Sequence, residues 1–147
     1  MKKSFLLLFF AFLITICSAI AQTSNKVKSF TIKKHKDLPS WFDQAERTYM
    51  LNDDRIIEFD LVKFVGGYVP NKGEIFFING TDVIIPENQI KIDKKRTVMT
   101  KTLTSGQYTI KITWDTKLTT GAYSEGKINL YNNNVSVFNS PLIISGW

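Results

Sequence analysis

The chain has 147 residues, 44% hydrophobic and 22% charged, with 19 Lys+Arg against 13 Asp+Glu for a net charge of +6. Those shares are globular rather than disordered, and the length suits one domain. A single cysteine excludes a disulfide framework or Cys-rich zinc site, and a single histidine excludes any site needing two imidazoles.

Lys2 and Lys3 open the chain, an uncharged apolar run covers residues 5–16, and small residues follow up to Ala19-Ile20-Ala21. A basic start, a greasy core and an Ala-x-Ala exit are the parts of a secretory signal peptide, so residues 1–21 are expected to be removed. Two readings compete with cleavage. Residues 5–21 are 17 uncharged positions, at the short end of the roughly 17–25 that span a bilayer, which would suit a retained anchor. Acylation of Cys17 is the other, against which Ile16 places a bulky side chain where a small one is needed. Export implies a periplasmic, cell-surface or secreted protein whose only membrane contact is the transient one of its signal. The mature chain, residues 22–147, would form a single domain with 17 basic and 13 acidic residues, a net +4, and no cysteine. Packing and hydrogen bonds must then stabilise it without covalent ties.

After a polar lead over residues 22–26, period-two alternation dominates. The first expected strand, residues 27–34, runs into Lys33-Lys34-His35-Lys36. Neighbouring ammonium groups disfavour a divalent cation at His35, so it is expected to be a solvated edge-strand residue. Residues 37–47 resist the strand pattern. Ser40 can cap a short helical turn near 40–46, with Asp43 three residues on, and Trp41, Phe42 and Ala45 supply its apolar face.

Further strands are expected at residues 55–65, 74–79, 82–85, 89–92, 97–103, 107–115, 126–131, 135–138 and 142–145. The clearest places Tyr108, Ile110, Ile112 and Trp114 on one face and Thr109, Lys111, Thr113 and Asp115 on the other. Asn79-Gly80 is a two-residue hairpin signal, and Asn79-Gly80-Thr81 also fits a glycosylation sequon. In an exported bacterial protein the turn reading comes first. Reversals are also expected at 52–54, Gly66-Gly67, 93–95, Ser105-Gly106 and 132–134. Many short strands and one helical turn predict an all-β, antiparallel, immunoglobulin-like sandwich.

Chemistry-bearing residues are sparse. Glu58 and Asp60 share one strand face at a spacing a glycosidase would permit, yet alternating carboxylates also describe any solvated strand face. Asn52-Asp53-Asp54 and Asn132-Asn133-Asn134 carry oxygen ligands without an EF-hand spacing, so turns explain them better. No catalytic residue, metal site or cofactor is expected. The basic groups lie at strand ends and turns, which argues against nucleic acid, as does export. Lys33, Lys34 and Lys36 could instead meet an anionic surface such as lipopolysaccharide, an acidic glycan or a phospholipid headgroup. Trp41 and Trp147 are the candidate sugar-stacking residues, while Trp114 reads as core.

Residues 73–131 carry Gly73-Glu74-Ile75-Phe76-Phe77, then Ser105-Gly106-Gln107-Tyr108-Thr109-Ile110-Lys111-Ile112-Thr113-Trp114, with Tyr123 opening the next strand. This stretch resembles the extracytoplasmic β-sandwich of the FixH-like family. The resemblance implies a sandwich fold and a link to assembly of a copper-containing terminal oxidase. Met50 and Met99 would be the only soft ligands in the mature chain. The expected function is therefore non-enzymatic: recognition of a protein or glycan partner, or accessory assembly, at the envelope or outside the cell. The alternatives are a carbohydrate-binding module and a FixH-like assembly factor.

Overall fold

The structure, a computed structural model, describes residues 29–51 and 62–146. The signal segment, the polar lead, the reversal at 52–54, Glu58, Asp60 and Trp147 lie outside the described residues.

Nine strands follow in chain order: β1 Arg47–Leu51, β2 Lys63–Val69, β3 Gly73–Ile78, β4 Thr81–Ile85, β5 Ile90–Lys95, β6 Val98–Ser105, β7 Tyr108–Thr120, β8 Tyr123–Asn132 and β9 Val135–Ser145. Among the described residues three 3₁₀ turns accompany them: η1 His35–Asp37 and η2 Ser40–Gln44 before β1, and η3 Glu87–Gln89 between β4 and β5. The strands form one ladder in the order β4-β3-β2-β1-β9-β8-β7-β6-β5. Every neighbouring pair in it is antiparallel. The chain thus runs as a meander outward to β4, starts again at the opposite edge with β5, and returns until β9 pairs with β1.

The all-β, antiparallel architecture is as expected. An immunoglobulin-like sandwich has two sheets, whereas here the described strands share one sheet, and that sheet curls. Lys101 on β6 lies six ladder positions from Glu74 on β3, roughly 29 Å in a flat sheet at about 4.8 Å per strand. Their charged atoms nevertheless meet at 2.5 Å. Side chains from both halves accordingly share one core: Tyr49, Leu51, Phe76, Ile78 and Ile85 with Leu103, Ile110, Ile112, Trp114, Ile128, Leu130, Leu142 and Ile144. The alternation read at 108–115 holds, with Ile110, Ile112 and Trp114 buried and Tyr108 packed against them.

Turn chemistry explains most connections. Asn79 (φ 52°) and Gly80 (φ 79°) make the expected β3–β4 hairpin with both central residues at positive φ. Asn133 and Asn134 (φ 48° and 65°) do the same between β8 and β9. Other expectations shift. Residues 93–95 stay inside β5, and the chain reverses at Arg96-Thr97. The two C-terminal strands expected at 135–138 and 142–145 are one strand, β9. Ser40 lies within η2 and Pro39 occupies the cap position without a side-chain cap, because the fixed φ of proline already sets the entry. Residues 27–34 were expected as a strand; the described part makes only two isolated bridges, Phe30 to Ile78 and Lys33 to Phe64.

Gly66-Gly67, expected as a reversal, sits in the middle of β2. A Cβ on Gly66 would run into the Ile75 carbonyl oxygen and come within 2.9 Å of Phe76 Cδ1. Its absence lets Tyr49 and Phe76, which flank Gly66 across the ladder, stack at 5.3 Å and 12° on the core face. A Cβ on Gly67 would lie 3.6 Å from Trp41 Cζ3, so Gly67 gives room to the layer covering the other face.

Candidate functional site

Two constellations stand out, one sealed in the core and one open on the outer face. In the core, Glu74 and Lys101 are buried beside Tyr49. The Lys101 ammonium donates to Glu74 Oε1 at 2.5 Å and to the Tyr49 hydroxyl at 3.3 Å, and that hydroxyl donates to Glu74 Oε2 at 2.7 Å. Arg47 Nη1 lies 3.9 Å from Glu74 Oε1, with its guanidinium over the Tyr68 ring at 4.9 Å. The Tyr68 hydroxyl in turn donates to Glu87 of η3 at 3.0 Å. Burial pushes the Tyr49 hydroxyl well above its usual 10.0, and the adjacent Glu74 carboxylate pushes it the same way. Burial pulls Lys101 below its usual 10.5 against the opposing attraction of Glu74. With Glu74 on β3, Tyr49 on β1 and Lys101 on β6, this cluster ties the two halves of the curled sheet through side chains. It is shut away from any substrate, so its chemistry is structural.

The open constellation follows from register. β1, β9 and β8 are neighbours, and cross-strand pairing aligns Met50, Ile143 and Glu125 in one outward row and Thr48, Ser145 and Tyr123 in the next. Phe64 of β2 extends this floor, and Phe42 closes on it edge to face at 4.9 Å between ring centres. His35 of η1 and Asp43 of η2 complete the wall. The result is a groove of about 620 Å³ with Val62 at its margin. Its base is apolar, and Asp43, Glu125, His35, Thr48 and Ser145 supply polar groups at its sides. Two smaller hollows, about 470 and 490 Å³, flank η3 and are lined mostly by polar turn residues.

The sequence-predicted residues distribute differently. Trp41 and Lys33 come together on Phe77: the indole packs at 5.5 Å between ring centres, and the ammonium sits 4.7 Å from the ring centre. Trp41 Nε1 donates to Asp82 at 2.8 Å, so its ring seats η2 on the outer face of β2 and β3. Lys34 and Lys36 are exposed on either side of His35. Met50 belongs to the groove, whereas Met99 packs against the core. The described residues contain no group of three or more His, Cys, Asp or Glu placed to hold a metal ion.

The chain matches no protein-family model, no curated protein and no solved structure.

Sequence reasoning missed most of the groove. The strand carrying Thr48 and Met50 falls where the alternation gives only five residues, directly after a helical turn. The pairing of β1 with β9 joins residues nearly a whole domain apart in sequence, and no local pattern signals it. In β8, Tyr123 and Glu125 face outward on either side of the buried Ser124, a serine that the sequence alone does not mark as internal.

Proposed function

We propose that this is an exported, non-enzymatic recognition protein that holds its ligand in the groove over β1, β9 and β8. The observation that carries this reading is the groove itself. An apolar floor contributed by adjacent strands, with polar groups at the sides and a volume of about 620 Å³, has the build of a ligand site, for which roughly 300–1,000 Å³ is usual. Export rests on the basic, apolar and small-residue order of the N-terminal segment. For the fold, we read the curl as sandwich-like, since side chains from opposite halves of the ladder pack face to face in one core. The meander order of the strands supports that reading rather than an immunoglobulin-like topology.

Methyl-labelled protein titrated with short-chain amphiphiles tests the site. Shifts are expected at Met50 and Ile143, and the Met50 shift should be lost in Ile143→Arg, which places a charge on the outer face and leaves the core intact. Shifts confined to Ile90 beside η3 or to Val135 beside the 133–134 turn would reject the groove. The glycan alternative draws support from Tyr123, 53% exposed at the groove and able to stack on a sugar ring. An oligosaccharide that moves Tyr123 resonances where the amphiphiles do not would favour it.

A further inference from the structure

The charges lining the groove run against the charge of the chain. The sequence carries +6, yet the carboxylates of Asp43 and Glu125 line the groove and, among the described residues, no lysine or arginine does. Both carboxylates are exposed at the sides of the apolar floor. They stand on opposite sides. Asp43 belongs to η2, which packs over β2, and Glu125 lies on β8, three ladder positions away or roughly 14 Å across the floor. Between them the floor offers Met50, Phe64 and Ile143. Lys127, the next outward residue along β8, lies outside the lining.

We propose that the groove binds a small molecule with an apolar body and a protonated amine, the apolar part over Met50 and Ile143 and the amine at a carboxylate of Asp43 or Glu125. This rests on the groove being the site and goes further by assigning the charge of its ligand. An anionic amphiphile of the same length would meet two repelling carboxylates, and complementarity of this kind decides which ligand is accepted.

The test compares octylamine, octanol and octanoate, which share an eight-carbon chain and differ in head-group charge. Binding is measured by calorimetry and by the Ile143 methyl shift on the full chain. Octylamine should bind about tenfold or more tightly than octanoate, with octanol between them. Glu125→Gln and Asp43→Asn, both at exposed positions, should each weaken octylamine roughly three- to tenfold and leave octanol unchanged. Salt at about 1 M should compress the octylamine preference, since exposed charges are screened over roughly 3 Å there. Equal affinity for all three, or a preference for octanoate, would overturn the amine assignment and leave the groove standing. Binding of none of them would overturn both.

Discussion

β3 and β5 are both six-residue strands of one sheet, yet every residue of β3 is buried while five of the six in β5 are exposed. Position explains part of the contrast: β3 lies between β2 and β4, whereas among the described strands β5 ends the ladder and pairs with β6 alone. The rest comes from a second layer. Phe76 and Ile78 of β3 face the core, and Phe77 on the other face lies beneath Trp41 and Lys33. No described residue covers β5 in this way, and Lys91, Asp93, Lys94 and Lys95 keep it compatible with water and blunt its edge in the described ladder. A strand of Gly-Glu-Ile-Phe-Phe-Ile is therefore tolerable because Trp41 and Lys33 cover its outer face. The one charge in it, Glu74, must be matched from inside the core.

The sharpest way to break this contrast is to remove that match. Lys101→Met leaves the Glu74 carboxylate buried with Tyr49 and the more distant Arg47, and should cost about 3–5 kcal/mol in urea unfolding. The double variant Lys101→Met with Glu74→Gln should recover much of that loss, since removing both charges is far less costly than stranding one. A single-variant cost below about 1 kcal/mol would show that the pair does not bridge the sheet halves in solution. The next test strips the cover. Trp41→Ala removes the ring seated on Phe77 and the hydrogen bond to Asp82, and should cost about 2 kcal/mol, below the range for a fully buried aromatic. Hydrogen exchange should rise at Lys33 and Phe64, whose amides each donate to the other's carbonyl, and should not change along β5. Uniform loss of protection would mean that the layer and the sheet unfold as one unit.

The sequence shows the alternating strands of the second half well, because each of β6 to β9 has one face in the core and one in water. It shows the first half poorly, for the same physical reason reversed. With both faces of β3 covered, the period-two signal fades, and Gly66-Gly67 reads as a turn when it is a gap cut for Tyr49, Phe76 and Trp41. Trp41 was legible as an important aromatic, but its partner Phe77 lies 36 positions on, beyond any local pattern. Of the groove, residue types were visible and their meeting was not. His35, Asp43, Met50 and Glu125 come together only after β9 pairs with β1 and η2 docks on β2.

The smallest expected effect separates the hydrogen bond of Tyr49 from its packing. Tyr49→Phe keeps the ring stacked on Phe76 and removes the hydroxyl that donates to Glu74, so it should cost about 1.5 kcal/mol at neutral pH. The pH dependence makes the test specific. In the folded protein burial holds the Tyr49 hydroxyl well above the 10.0 at which it ionises once unfolded. Above that value the unfolded chain releases a proton that the folded one retains, so this contribution is present below pH 10 and fades as pH climbs toward the raised folded value. Lys101 acts in the opposite direction. Its folded pKa lies below 10.5, so its contribution grows as pH rises from that lowered value to 10.5, in the wild type and in Tyr49→Phe alike. The difference between the two proteins isolates the tyrosine. Their stability gap in urea unfolding should be constant from pH 7 to about 9.5 and shrink, or change sign, by pH 11. A gap that stays level through pH 11 would place the Tyr49 hydroxyl in contact with water, and the seal that sets β3 apart from β5 would not extend to the core end of the cluster.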